Sequence, residues 1–208
     1  MTNSPTSEPS LARRRVQLVL LALLFMAPVV AAWVAWLYVG EHGVGATSNA
    51  GTLVTPARAL PDDLPLLELD GGPLRERALR GRWTYVLFGQ GADCDAACDA
   101  WLFKTRQLRV SINKDFTRVQ RLLILGGHPP AEVLRAMQQE HPDLLFAVAD
   151  GPGLVAVRQT FAVAAPPDGS QVFLVDPLGN VMMTYDAGVG FKGMLKDLRK
   201  LLKVSQIG

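Results

Sequence analysis

The sequence has only two cysteines and three histidines among its 208 residues. Two cysteines are too few to form a disulfide scaffold, so Cys94 and Cys98 are interpreted as one redox or metal-binding pair. A charge excess is also lacking outside the N-terminal segment: 18 basic and 18 acidic residues lie in 40–208. A balanced domain offers no electrostatic footprint for nucleic acid, so we expect no nucleic-acid partner.

Charge is absent from one long apolar run, Val16–Val39. About 20 apolar residues span a bilayer core as a helix, so the run predicts a transmembrane helix at 16–39 that anchors the chain in a lipid bilayer. A cleaved signal peptide is the alternative, but it has a shorter apolar region of roughly 7–15 residues. Trp33, Trp36 and Tyr38 near the end of the run are typical of a membrane–water interface.

Positive charge precedes this run and does not follow it closely. Arg13, Arg14 and Arg15 come directly before it, and the next basic residue is Arg58. The positive-inside rule therefore predicts that residues 1–15 form a cytoplasmic arm and that the rest of the chain is exported. In a bacterium with two membranes, this predicts a single-pass inner-membrane protein with a periplasmic C-terminal domain, in a compartment where disulfides persist.

After the anchor, the composition predicts a flexible linker at 40–61 and one domain at 62–208. The predicted strands are Leu64–Leu69, Trp83–Phe88, Arg121–Leu125, Leu144–Val148, Val172–Val175 and Val181–Tyr185. The predicted helices are Ala97–Asn113, Pro130–Glu140, Gly153–Phe161 and Gly190–Val204. Strands that alternate with helices, followed by a hairpin and a last helix, predict an α/β, thioredoxin-like fold with a central mixed sheet flanked by helices.

The two cysteines follow a predicted buried strand and begin the next helix, and α/β sheets place their chemistry at such carboxyl ends. The C-x-x-x-C spacing puts both sulfurs on one side of the first helical turn, where they can form a disulfide or bind Cu(I). Asp93, Asp95 and Asp99 flank the pair, and their charge disfavours a thiolate while it attracts cations. A disulfide that only pins the loop is the alternative interpretation.

Four segments of the chain resemble the SCO/SenC family of thioredoxin-fold proteins, which assist copper-site assembly in cytochrome c oxidase. The segments are Leu67–Leu74 (LELDGGPL), Gly81–Gly89 (GRWTYVLFG), the Cys94/Cys98 pair and Val172–Asp186 (VFLVDPLGNVMMTYD). The resemblance implies an accessory factor that acts through Cys94 and Cys98 by copper handling or thiol reduction. It also implies a membrane protein partner, either an oxidase subunit or another assembly factor.

The sequence departs from the family at the third copper ligand. The resemblance puts that ligand, a His, eight residues before Asp176, where this chain has Asp168, a harder donor that binds Cu(I) poorly. His128, after the strand that ends at Leu125, is a candidate replacement ligand, or else an ordinary loop residue. Copper is therefore a candidate cofactor, with Cys94, Cys98 and His128 as candidate ligands.

Two other functions fit the same pattern: a general periplasmic thiol–disulfide oxidoreductase, and a non-catalytic binding module that keeps the fold.

The remaining candidate residues have ordinary structural interpretations. His141 is interpreted as a helix cap. Basic residues also mark the last predicted helix. They are interpreted as its solvated face, with contact to anionic headgroups as the alternative; they are Lys192, Lys196, Arg199, Lys200 and Lys203.

Overall fold

The computed structural model describes residues 11–42, 49–74, 76–163 and 167–205. The chain divides into two compact units, Met1–Ser48 and Asn49–Gly208. Residues 1–10 of the predicted cytoplasmic arm and residues 43–48 of the predicted linker lie outside the described residues.

The described part of the first unit is one helix, α1, Leu11–His42. Its segment Arg15–Tyr38 has 24 residues and is apolar enough to cross a membrane. At 1.5 Å per residue this segment is about 36 Å long, and a bilayer core is about 30 Å thick. The helix therefore has the length and composition of a membrane anchor, as the sequence predicts.

The second unit is built on one six-stranded mixed sheet in the order β1-β6-β5-β2-β3-β4. The strands are β1 Thr52–Ala59, β2 Trp83–Phe88, β3 Val119–Leu125, β4 Leu144–Val148, β5 Gln171–Val175 and β6 Asn180–Asp186. Strands β2, β3 and β4 pair in parallel, whereas β5 pairs antiparallel with both β2 and β6, and β1 pairs antiparallel with β6. The central strands β2 and β3 are buried along their whole length, which explains their nearly continuous apolar sequences.

Helices cover both faces of this sheet and each face has its own core. The helices are α2 Ala96–Ser111, α3 Ala131–Glu140, α4 Gly151–Phe161 and α5 Phe191–Val204. The core of one face includes Trp101 of α2 and Leu198 of α5, and the core of the other includes Phe161 of α4. The predicted thioredoxin-like α/β fold is confirmed, and the ends of these four helices lie within two residues of the predicted ends.

Two predictions near the start of the domain were wrong. The segment Leu64–Leu69 is not a strand: Leu67 makes only isolated bridges, to Pro73 and to Val148. A tight turn, in which the Leu66 amide donates to the Leu64 carbonyl, interrupts it at Pro65, which has no amide hydrogen to donate. Conversely, the predicted flexible linker contains β1, which is ordered by its pairing with β6 and exposes nearly all of its side chains.

Candidate redox site

The two predicted site residues are joined as a disulfide, Cys94–Cys98, with their Cα atoms 5.3 Å apart. They lie after the carboxyl end of β2, at the start of α2. Cys98 is only 1% exposed and belongs to the hydrophobic core, whereas Cys94 is half-buried at its edge. The structure therefore exposes Cys94 partly to solvent, whereas its disulfide partner Cys98 is buried.

Glycines allow the loop between β2 and α2, which carries Cys94 and is here called the cysteine loop, to pack closely. A side chain at Gly89 would place its Cβ 2.6 Å from the Asp93 carbonyl oxygen and 2.7 Å from Leu125. The amide of Gly126, which follows β3, donates to the carbonyl of Gly91, so the loop leans on the end of the neighbouring strand. These contacts hold the backbone that carries Cys94 in one position.

Two aspartates of the motif bind the amides of the cysteines themselves. Asp95 caps α2, because its Oδ1 accepts a hydrogen bond from the Cys98 amide at 2.9 Å. The Oδ1 of Asp93 accepts from the Cys94 amide at 2.7 Å. The sequence marks these residues by their charge, but an Asp just before a helix is also a recognised capping signal.

The negative charge around the disulfide extends to α3. Partial burial raises the pKa of Asp99, and the charge of Glu140 at the end of α3 raises it further. Asp93 and Asp95 act in the same direction, whereas His141 opposes them. A thiolate formed at this site would lie among several carboxylates, which disfavour it.

The loop of Asp168, Gly169 and Ser170, which precedes β5, lies against the cysteine loop. This is the position where the family resemblance places the missing His. The backbone carbonyl of Asp168 accepts from Gln90 Nε2 at 2.7 Å, and the carbonyl of Ser170 accepts from Trp101 Nε1 at 3.1 Å. A side chain at Gly169 would lie 3.1 Å from the Phe88 carbonyl. Asp168 therefore neighbours the cysteine loop, as the resemblance implies.

The carboxylate of Asp168 is bound within its own loop. It accepts hydrogen bonds from the Ser170 hydroxyl at 2.6 Å and from the Ser170 amide at 2.9 Å. These two bonds lower the pKa of Asp168, and the charge of Arg158 on α4 lowers it further. Arg158 Nη2 also lies 3.5 Å from the Gly89 carbonyl, and no sequence pattern marks this arginine as a residue of the site.

A buried arginine ties α2 to the sheet beneath the site. Arg121 of β3 is 0% exposed, donates to the Leu102 carbonyl at 3.1 Å and binds Asp143 at 2.5 Å. Partial burial raises the pKa of Asp143, but the hydrogen bond and charge of Arg121, with the charge of Arg109, outweigh it and lower that pKa. The helix that carries Cys98 is thus held by the hydrogen bond from Arg121 and by the Arg109–Asp143 ion pair at 2.9 Å, as well as by apolar contacts.

The described residues do not assemble a three-ligand copper site: no group of three or more His, Cys, Asp or Glu side chains that could hold a metal occurs among them. His128 is exposed in the loop after β3, whose Gly126 and Gly127 contact the cysteine loop. After reduction, Cys94 and Cys98 would supply two soft ligands. A third donor is not in place, and the metal-binding role of His128 stays a prediction.

A family model described as a transmembrane-like, thioredoxin-like C-terminal domain matches residues 83–205. No curated protein matches the sequence. The match covers more than half of the chain and includes both cysteines, the Asp168 loop and helix α5.

Solved structures of Sco proteins share the fold. Copper-bound yeast Sco1 has 19% identity and a TM-score of 0.56, and the alignment covers 77% of this chain and 96% of that one. Apo Sco1 of Thermus thermophilus has 20% identity, a TM-score of 0.59 and coverage of 76% and 99%. BsSco, described as a Sco-family cytochrome c oxidase assembly protein, has 13% identity, a TM-score of 0.50 and coverage of 67% and 91%. The predicted SCO/SenC resemblance is therefore confirmed at the level of the fold.

Proposed function

This chain belongs to the family of transmembrane-like, thioredoxin-like C-terminal domains, and we propose that it is an accessory factor of cytochrome c oxidase assembly that works by thiol–disulfide exchange. The observation that carries the proposal is the Cys94–Cys98 disulfide at the carboxyl end of a central strand. Its fold neighbours include Sco proteins, one of them described as an oxidase assembly protein, which supports the choice of pathway.

The two cysteines have different roles in the proposed reaction because their exposure differs. Cys94 is half-buried and reaches the surface, so it is the sulfur that a partner disulfide can meet. Cys98 is buried directly behind it and is positioned to resolve a mixed disulfide. This arrangement is typical of thioredoxin-fold redox pairs, in which only the outer thiolate needs to be accessible.

The proposed reaction begins with the reduced pair. The Cys94 thiolate attacks one sulfur of a partner disulfide, and the partner's other sulfur leaves as a thiolate. The Cys98 thiol then loses its proton to solvent and attacks the Cys94 sulfur, which closes the Cys94–Cys98 disulfide and releases the partner's second thiolate. The partner gains two electrons, and an external dithiol reductant returns the pair to its reduced state.

The partner in this proposal is a membrane protein, either an oxidase subunit whose copper-binding cysteines must be reduced or another assembly factor. The lipid bilayer is the second partner, since α1 has the length of a membrane anchor. We place the redox domain in the periplasm of a bacterial inner membrane, with the N-terminus in the cytoplasm, because arginines precede the span and none directly follows it.

Copper handling is the second candidate function. The observation that favours it is the fold similarity to yeast Sco1, which is described as copper-bound. The observation against a three-coordinate site is that Asp168, at the family's His position, is an oxygen donor already bound to Ser170. We therefore derive the reaction from the two sulfurs alone.

The test of the proposal is cysteine replacement in the full chain, expressed in cells that lack the native copy. Cys94→Ser should lower cytochrome c oxidase activity by roughly tenfold or more, because it removes the attacking sulfur. Cys98→Ser should instead trap a partner as a mixed disulfide that a reductant releases. His128→Ala is the matched control and should leave oxidase activity unchanged.

The alternatives give different results in the same cells. A general oxidoreductase that works in the same direction would leave unreduced disulfides in many periplasmic proteins of the Cys94→Ser strain, with oxidase affected no more than the others. A non-catalytic module would tolerate replacement of both cysteines while deletion of the domain abolished function. Stoichiometric anaerobic Cu(I) binding that depends on His128 would favour copper handling instead.

A further inference from the structure

Basic side chains form one exposed face along α5. Five residues make up this surface, here called the α5 basic face: Lys192, Lys196, Arg199, Lys200 and Lys203. Their spacing of three or four residues puts them on one side of the helix, and each is exposed. The opposite side of the helix packs into the core through Met194, Leu198 and Leu202.

No acidic side chain on α5 offsets this charge at the surface. The only acid of the helix, Asp197, is 2% exposed. Its Oδ2 accepts hydrogen bonds from the amides of Ala50 and Gly51, both at 2.9 Å. The face therefore carries five positive charges over 11 residues of helix rise, about 17 Å.

The face ends in a concave basic pocket of about 530 Å³. Lys114, Arg199 and Lys203 line it, together with Arg118 and Asp115. Arg118 binds Asp115 at 3.3 Å and the carbonyl of Ser205 at 2.7 Å, so the one carboxylate of the lining is already matched by a guanidinium. The pocket thus keeps an excess of positive charge and has the size to admit a phosphate group.

The segment that links the predicted span to the domain also contacts α5 where the domain begins. Ala50 and Gly51 are held by Asp197 of that helix, and only 11 residues, 39–49, separate them from Tyr38 at the end of the predicted span. At about 3.5 Å per residue, a chain of this length reaches no further than about 40 Å. A membrane surface at the end of the span is therefore always within reach of α5, at high effective concentration.

We propose that the α5 basic face and its pocket bind the phosphate groups of anionic phospholipids on the membrane that α1 enters. The inference rests on the membrane anchor of the proposed function, but not on the redox chemistry. Because the cations are spread along the whole helix, they are complementary to an extended anionic surface rather than to a single free anion. Each basic residue near an anionic membrane surface adds to the binding free energy.

Lipid bound at the pocket end of the face would leave the redox pair uncovered. The segment Asn113–Arg118 that borders the pocket directly precedes β3, whereas Cys94 follows β2. Strands β2 and β3 are parallel, so the pocket and the disulfide lie at opposite ends of the sheet. Lipid bound at the pocket would therefore restrict the orientation of the domain while Cys94 stays accessible to a membrane protein partner.

The test compares hydrogen exchange of the full chain in two kinds of nanodisc. One kind contains phosphatidylcholine only, and in the other about one lipid in three is phosphatidylglycerol. Amides of Lys192–Ser205 should exchange more slowly in the anionic discs, by roughly threefold or more, and high salt should abolish the difference because it screens exposed charges.

Paired variants with equal charge changes identify the surface. Lys196→Gln/Lys203→Gln should lose the protection, whereas Arg82→Gln/Arg135→Gln, which removes two exposed charges elsewhere, should keep it. Cys94→Ser/Cys98→Ser should also keep it, which separates this inference from the redox proposal. Three outcomes would each overturn lipid binding. The α5 amides could exchange equally fast in neutral and anionic discs, or both charge variants could lose the protection to the same extent. Inorganic phosphate added to neutral discs could also give the same protection as the anionic lipid.

Discussion

At the scale of single residues, Asp95 combines two effects that oppose each other in function. Its carboxylate caps α2 by accepting from the Cys98 amide, which stabilises the start of the helix. The same negative charge lies one residue from Cys94 and disfavours the thiolate that thiol exchange requires. The residue therefore favours a stable disulfide over fast exchange.

Two substitutions separate the cap from the charge. Asp95→Asn keeps a capping oxygen, so the free energy of unfolding should change by less than about 0.5 kcal/mol. The reduced variant should react with a small aromatic disulfide roughly two- to fivefold faster than the native chain at pH 7, because one nearby negative charge is gone. Stopped-flow absorbance measures that rate.

Asp95→Ala removes both the charge and the cap. It should show the same gain in rate but lose about 1 kcal/mol of stability in urea titrations. Equal rates for the Asn variant and the native chain would mean that the charge of Asp95 has no influence on the cysteines.

The sequence identifies the cysteines and Asp168 but not the residues that hold them. The cysteines are found from spacing and from the strand before them, and Asp168 from the family resemblance. Arg158 and Arg121 are single arginines in ordinary helix and strand patterns, and only the folded chain brings them to Gly89 and to Leu102. Contacts between residues far apart in the chain leave no local signal.

At the scale of elements, the sheet edge formed by β1 shows why the fold was predicted only in part. Strands β2 and β3 are recognisable because both of their faces are buried. In β1 only Val54 is buried, and Pro56 and Arg58 interrupt any regular pattern. Proline is tolerated in edge strands, and β1 is held by backbone pairing with β6, which side-chain periodicity does not report.

The start of β1 is also where the element is most sensitive to substitution. A Cβ at Gly51 would lie 2.6 Å from Tyr185 Cε1 and 2.7 Å from the sulfur of Met183. Tyr185 is fully buried beside Tyr85, with the ring centroids 6.2 Å apart, so its ring has no space to move. The first residues of the domain therefore fit against β6 only when the backbone carries no side chain there.

Gly51→Ala should lower the free energy of unfolding by about 1–3 kcal/mol, because overpacking displaces β1 from β6. Amide exchange should become faster in β1 before it changes in β3. The matched control is Gly188→Ala, where a new Cβ meets nothing within 4 Å and stability should stay within about 0.5 kcal/mol. Equal effects of the two substitutions would contradict the close approach at Gly51.

At the scale of the whole molecule, orientation in the membrane decides which chemistry the site can perform. A Cys94–Cys98 disulfide persists in an oxidising compartment and is reduced in the cytosol. The features that predict the orientation lie far from the site in sequence: Arg13, Arg14 and Arg15 before the predicted span, and the stretch without basic residues after it. If the prediction holds, the redox state of the pair depends on the full chain and not on the domain alone.

A reporter fused to the C-terminus tests this dependence. Alkaline phosphatase, which is active only when exported, should be active on the native chain and lose roughly half or more of its activity when the three arginines become glutamine. Removal of three domain charges instead, at Arg82, Lys114 and Arg135, should leave the activity unchanged.

In the arginine variant, Cys94 and Cys98 should be recovered as free thiols in proportion to the activity lost, because both report the same fraction of chains held in the cytosol. A fusion to the native chain that is inactive, or thiols that do not follow the reporter, would show that the arginines do not direct this domain out of the cytoplasm.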